Sequence, residues 1–230
     1  MERLVLFDID GTLIRSRDGY IAFNEAIRKT FGVEGDIRAV IPDGNTDPLI
    51  VKDILGQLAM DVKISENQWC DFSATLRECY DDHLCRGTMR IQSLPGAVEL
   101  LAALSADRRF VSTVVTGNFE STAEVKLMAA GLARYLCRGA YASDSSHRPD
   151  LPAIARRRCE ELNRSSFSNE RCVIVGDTPK DLDAARQSGM KCILVGTGRY
   201  PVEELLHWQP DGCVADLSDT EAMIALLSEI

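Results

Sequence analysis

The sequence predicts an α/β protein built on a parallel sheet flanked by helices, with a small α-helical domain inserted after the first strand. Three observations carry that expectation. A continuous apolar run, Leu4-Val5-Leu6-Phe7, opens the chain, as a strand buried on both faces requires. Helical spacing without a convincing strand then runs from about Arg15 to Gly87. From about Leu94 onward, helical patterns alternate with apolar strand runs, the signature of a parallel sheet wrapped on both sides.

The first strand ends at Gly11, and the inserted segment shows two amphipathic faces. Phe23, Ala26, Ile27 and Phe31 share one; Trp69, Phe72, Leu76, Cys79 and Tyr80 share the other, behind a capping box of Ser65 and Gln68. Polar, glycine-containing hinges are expected at Ser16-Arg17-Asp18-Gly19 and Cys85-Arg86-Gly87-Thr88. A helix from Pro95 to about Leu104 then leads to the strand Phe110–Val115, and another helix runs from about Glu120 to Ala130. A further helix over about Leu151 to Leu162 precedes the strands Arg171–Val175 and Lys191–Val195. The last helix is expected to follow Ser218, with Glu221 completing a capping box.

With 230 residues, 45% of them hydrophobic, the chain can bury a substantial core as one domain or one domain plus a small insert. The net charge of -9 argues against an electrostatic grip on nucleic acid or an anionic membrane and favours a small soluble partner. None of the eight cysteines forms a Cys-x-x-Cys pair and several fall in apolar patterns, so buried free thiols are expected. Asp8 and Asp10 cut the amino-terminal apolar run too short for a signal peptide or membrane span, which predicts a cytoplasmic, reducing setting. A monomer and a homodimer are both compatible with the chain.

In open α/β sheets, ligands bind beyond the carboxyl ends of the strands. Three strand runs end in polar, glycine-containing turns: Asp8-Ile9-Asp10-Gly11-Thr12, Thr116-Gly117-Asn118 and Gly176-Asp177-Thr178-Pro179-Lys180-Asp181. If the extended conformation persists, Asp8 and Asp10 leave the same face, and each like-charged pair at ~4 Å would cost about 4 kcal/mol at an effective dielectric of ~20. Such a site needs a cation. Oxygen ligands without nearby histidine or thiol point to magnesium, which is held by one or two carboxylates plus phosphate and water. The glycines and Asn118 allow turns whose N–H groups converge on phosphoryl oxygens.

Each motif alone has an ordinary explanation. Asp-x-Asp-Gly-Thr can be an acidic turn, and Gly176–Asp181 can cap a helix with Asp177 at its amino end and Pro179 in its first turn. The three together, in this order and each after an apolar strand, resemble the motifs of the haloacid dehalogenase superfamily over essentially the whole chain. Phe7-Asp8-Ile9-Asp10-Gly11-Thr12-Leu13 resembles its first motif, Val115-Thr116-Gly117-Asn118 its second, and Gly176–Asp181 its fourth. The insert is similar to the C1-type cap of phosphoglycolate phosphatases and β-phosphoglucomutases.

The resemblance implies a Rossmann-like catalytic core over residues 1–15 and 88–230 with an α-helical cap over residues 16–87. It also implies a magnesium-dependent phosphatase acting on a small phosphate ester. Asp8 would be the nucleophile and Asp10 the general acid/base. Magnesium would be bound by Asp8, the backbone carbonyl of Asp10 and Asp177, with Asp181 as a further ligand or a support. Thr116, Gly117 and Asn118 would hold the phosphoryl group. The third motif departs from the usual lysine: His147-Arg148-Pro149 stands there, and Arg148 takes its place as the phosphate-neutralising cation.

Lys126, mid-helix, and Arg156-Arg157-Arg158 are expected to be solvated surface charges. In the cap, Asn45 and Thr46 of Asp43-Gly44-Asn45-Thr46-Asp47 are candidates for substrate contact, although Thr46 or Asp47 could equally cap a helix. Gly196-Thr197-Gly198 lacks the rest of a dinucleotide fingerprint, and no phosphate loop occurs, so no nucleotide cofactor is expected. A phosphomutase would use the same site, a dehalogenase would lack Asp10, and an idle binding or regulatory protein would keep only the scaffold.

Overall fold

In the computed structural model, which describes residues 2–60 and 63–230, the elements follow in chain order. They are β1 (Arg3–Phe7), β2 (Ile14–Arg17), α1 (Gly19–Phe31), α2 (Asp47–Gln57), α3 (Glu66–Cys85), β3 (Arg90–Ser93), α4 (Ala97–Ala106), β4 (Phe110–Val115) and α5 (Glu120–Ala129). Then come β5 (Cys137–Ala140), α6 (Leu151–Asn163), β6 (Cys172–Gly176), α7 (Pro179–Ser188), β7 (Lys191–Val195), α8 (Val202–His207), β8 (Gly212–Val214) and α9 (Thr220–Glu229).

Six strands form one parallel sheet in the order β5-β4-β1-β6-β7-β8. The apolar run of β1 is buried throughout because each face of the sheet is covered. Val5, Phe7, Val173, Val175, Ile193 and Val195 join the core on one face. Their neighbours Leu4, Leu6, Cys172, Ile174, Cys192 and Leu194 join the other. This is the period-two alternation of a strand with two apolar sides.

The cap helices α1, α2 and α3 share the first of these cores. α3 begins with the expected capping box, Ser65 accepting from the Gln68 N–H while the Gln68 side chain accepts from the Ser65 N–H. Phe23, Phe31 and Trp69 pack around Phe72, and Phe72 reaches Phe119 at the base of α5 with ring centroids 6.0 Å apart. Aromatic packing of this kind adds about 0.5–1.5 kcal/mol per pair beyond buried area.

Several expectations are corrected. The segment beginning at Arg15 does contain a strand: β2 pairs antiparallel with β3, from Ile14↔Ser93 to Arg17↔Arg90, so an exposed ribbon carries the chain towards and back from the helices. Of the first expected hinge, Ser16 and Arg17 are strand, Asp18 sits in the left-handed region at φ 61° and Gly19 opens α1. The amino cap of α9 is Asp219, accepting from the Ala222 N–H, rather than Ser218 with Glu221. The thiols are free, but only Cys79, Cys159, Cys172 and Cys192 are buried, while Cys70 and Cys85 are exposed. Among the described residues, no helix is long and apolar enough to cross a membrane.

Candidate active site

Phe7 of β1 pairs with Val114 of β4 on one side and Val175 of β6 on the other. The residues just beyond these three adjacent strands, Asp8, Thr116 and Asp177, therefore emerge together where strand order switches direction. The Asp8 N–H donates to the Val175 carbonyl at 2.9 Å, prolonging the ladder by one residue before the chain turns at Gly11, φ 85°.

Asp8, Asp177 and Asp181 are buried, and a carboxylate oxygen of each lies within 4.8 Å of the others. Two glycines from different loops make room for Asp177: a Cβ on Gly11 would stand 2.4 Å from its Oδ2, and one on Gly198 1.7 Å. Asp177 is not the cap of α7. Thr178 and Asp181 form that capping box, with Pro179 in the first turn. Asp181 Oδ2 accepts from the Thr178 N–H at 3.1 Å and hydroxyl at 2.7 Å. Asp177 accepts only a 3.2 Å hydrogen bond from the Thr12 hydroxyl among the described residues.

Arg148 completes this half of the site. Its guanidinium bonds Asp181 Oδ1 and lies 3.0 Å from Asp8 Oδ1, with the Arg148 and Asp8 side chains both 7% exposed. Burial opposes the charge on Arg148, but Asp181 and Asp8 reverse that and raise its pKa. Burial pushes Asp8 up; Arg148 pulls it down, while Asp181 and Asp10 push it further up. Asp177 is raised by burial and then by Asp8 and Asp181. Three carboxylates facing one guanidinium leave negative charge uncompensated. Their hard oxygen donors suit a divalent cation of the magnesium type.

The other half surrounds Asp10, whose side chain is 42% exposed. Asn118 Nδ2 donates to Asp10 Oδ2 at 2.8 Å and to Thr116 Oγ1 at 2.7 Å, tying the first strand end to the second. Lys126, expected on the surface, is 5% exposed and reaches inward, with Nζ 2.6 Å from Asp10 Oδ2 and 2.6 Å from Asn118 Oδ1. α5 turns this face, shared with Thr122 and Ala123, into the protein. Two of the three arginines of α6 are corrected too: Arg156 bonds Phe167 O and Asn169 and Arg158 bonds Gly139 O and Asp144, while Arg157 is exposed as expected.

A cavity of about 590 Å³ opens above both halves. Asp8, Asp10, Thr116, Gly117, Asn118, Arg148 and Asp177 line its floor, and Tyr20, Phe23, Ile37, Val40, Ile50 and Tyr80 of the cap line its walls. Asn45 borders the cavity, its Oδ1 accepting from Lys180 and its Nδ2 donating to Ile41 O. Thr46 is fully buried and donates its hydroxyl to Ser146 O at 2.9 Å. Asp47, the first residue of α2, does more here: its N–H donates to Gly117 O at 2.7 Å and its Oδ2 accepts from the Phe119 N–H at 2.8 Å. Burial pushes the Asp47 carboxyl up to about 6, against the pull of Lys126 and the Phe119 N–H. Gly117 is needed for this approach, because a Cβ there would lie 2.1 Å from Asn45 O.

Lys126, Asp47 and Gly198 also line the cavity, where none of them was expected. For Lys126 the available signal was its spacing, three and four residues after Ala123 and Thr122 on a face that begins at Phe119. Gly198 bore no signal until Asp177 was placed against it.

Known proteins resemble this chain over most of its length. A family model for hydrolases, described as haloacid dehalogenase-like hydrolase, matches residues 2–189. A probable phosphatase, IndB, of Dickeya dadantii is 29% identical over 229 residues, covering 95% of this chain and 92% of that protein. A phosphoglycolate phosphatase of Rhodospirillum rubrum is 27% identical over 218 residues, covering 89% of this chain and 85% of that protein. The crystal structure of a hydrolase from Pseudomonas syringae has a TM-score of 0.70 at 22% identity, covering 98% of both chains.

Proposed function

Because the chain belongs to the haloacid dehalogenase-like hydrolases, we propose that it is a magnesium-dependent phosphatase that hydrolyses small phosphomonoesters through an aspartyl phosphate on Asp8. The observation that carries this reading is the excess of buried carboxylate over cation at Asp8, Asp177 and Asp181, in a floor that ends at a cavity. Asp8, Asp177 and the backbone carbonyl of Asp10 would hold magnesium. Asp181, already shared between Arg148 and Thr178, supports Arg148. Bound magnesium supplies positive charge that lets an anionic nucleophile approach an anionic phosphoryl group.

An Asp8 carboxylate oxygen attacks phosphorus, and the ester P–O bond breaks as the leaving alcohol takes a proton from Asp10. Asp10 then takes a proton from water as that water attacks the phosphorus of the aspartyl phosphate, releasing inorganic phosphate and restoring Asp8. Arg148 neutralises phosphoryl charge beside Asp8, and Thr116 with the Gly117-Asn118 backbone orients the group. Residues 16–87 act as the cap that excludes water over a core formed by residues 1–15 and 88–230. Relatives described as phosphatases support this reading.

The test is release of inorganic phosphate from 4-nitrophenyl phosphate by the wild type and Asp8→Asn, with magnesium and with chelator. Either loss of the nucleophile or loss of the metal should lower kcat by about 10³-fold or more. Turnover indifferent to both would overturn the proposal.

A further inference from the structure

Asp10 must present a proton to the leaving-group oxygen and recover one from water, so its orientation matters as much as its presence. Asn118 Nδ2 and Lys126 Nζ both approach Oδ2, at 2.8 Å and 2.6 Å. Oδ1 enters no hydrogen bond among the described residues, while Asp10 borders the cavity. The side chain is therefore held by one oxygen and left open at the other.

Lys126 is built for that task at some cost. A buried ammonium is stable only when its three donors are satisfied. Here they meet Asp10 Oδ2, Asn118 Oδ1 at 2.6 Å and the ring face of Tyr80, whose centroid is 5.4 Å away. Tyr80 belongs to α3 of the cap, so a core lysine is enclosed from above by the cap and gripped from below by both strand-end motifs. A salt bridge serving stability alone would gain nothing from being placed on the carboxylate beside the cavity.

We propose that Lys126 is a positioning residue for Asp10: clamped between Asp10 Oδ2 and Asn118 Oδ1, its ammonium fixes the carboxylate orientation that offers Oδ1 to the leaving-group oxygen. The inference rests on the phosphatase reading. It predicts that the damage from losing Lys126 scales with the need for a proton in the step that breaks the ester bond. Nitrophenolate departs without one, whereas an alkoxide does not.

The experiment reads kcat/KM of wild type, Lys126→Met and Lys126→Arg with magnesium on 4-nitrophenyl phosphate and on glycerol phosphate. The Lys126→Met loss should be about tenfold or more larger on the alkyl ester, less than the roughly 10²–10⁴-fold of a whole general acid because Asp10 is misplaced and not removed. Lys126→Arg, which can still donate to Oδ2, should keep the two losses within about threefold of each other. A magnesium-induced rise in Tm in each variant establishes a folded protein with its metal site; if Lys126→Met does not melt cooperatively, Lys126→Gln takes its place. Equal losses on both esters, or no loss, would overturn the inference and leave the phosphatase reading standing. Absence of magnesium-dependent turnover in the wild type would overturn both.

Discussion

Asp8 and Asp10 stand two residues apart at one strand end, yet their surroundings differ. Asp8 is buried at the cavity floor, with Arg148 and two further carboxylates as its neighbours. Asp10 is 42% exposed at the side chain and is gripped by Lys126 and Asn118 through one oxygen. A nucleophile benefits from a dry, fixed position with its charge partly balanced; a proton carrier must reach substrate and water in turn. The same short motif thus holds its two aspartates in different surroundings, one beside a cation from the turn before α6 and the other beside a cation from the inward face of α5.

The comparison can be broken first at Arg148. Arg148→Met leaves Asp8 and Asp181 buried without their cation, and the metal-free protein should lose about 3–5 kcal/mol in urea unfolding. A cost below about 1 kcal/mol would mean that the Asp8 half is not held by charge.

Asp47 tests how α2 is tied to the turn after β4 on the Asp10 side. Its folded pKa of about 6 lies above the ordinary value of 3.8, so the folded chain binds the extra proton. The stability from that protonation is fully present below about pH 4 and is lost as pH rises through about 6, up to about 3 kcal/mol in total. Asp47→Asn should flatten that part of the pH–stability curve; an unchanged slope between pH 4 and 7 would contradict it.

Asp177 comes next. Magnesium at about 100 times its Kd should stabilise the wild type by about 2.7 kcal/mol. Asp177→Asn should lose that response while being no less stable without metal at pH 8, since it removes one of three crowded carboxylates. The smallest effect is expected at Thr46: Thr46→Val deletes its hydrogen bond to Ser146 O and should cost about 1 kcal/mol, more if the carbonyl stays dry.

Most of the sheet was legible because β1, β4, β6 and β7 are largely apolar runs, as strands covered on both faces require. β5, with sequence CRGA, and β8, GCV, are short edge strands lacking that signature. β2 reads IRSR, and only its pairing with β3 makes it a strand. Asp8, Asp10, Thr116, Asn118 and Asp177 were singled out by their places after apolar strands and Arg148 by the family resemblance, and the structure brings all six to one cavity. Lys126 was not legible, because a lone lysine in a helix is ordinarily solvated and its burial depends on Asp10, Asn118 and Tyr80 from three other segments.

The space that Gly11 and Gly198 leave for Asp177 has a consequence for how this chain can vary. No single substitution at position 198 is free, because the first carbon of any side chain would occupy the volume of the carboxylate, and a shorter acid than aspartate does not exist among the genetically encoded residues. The loop after β7 and the turn after β6 can therefore drift only together. A homologue with a bulkier residue at 198 should have moved its acid to another position or given up the chemistry.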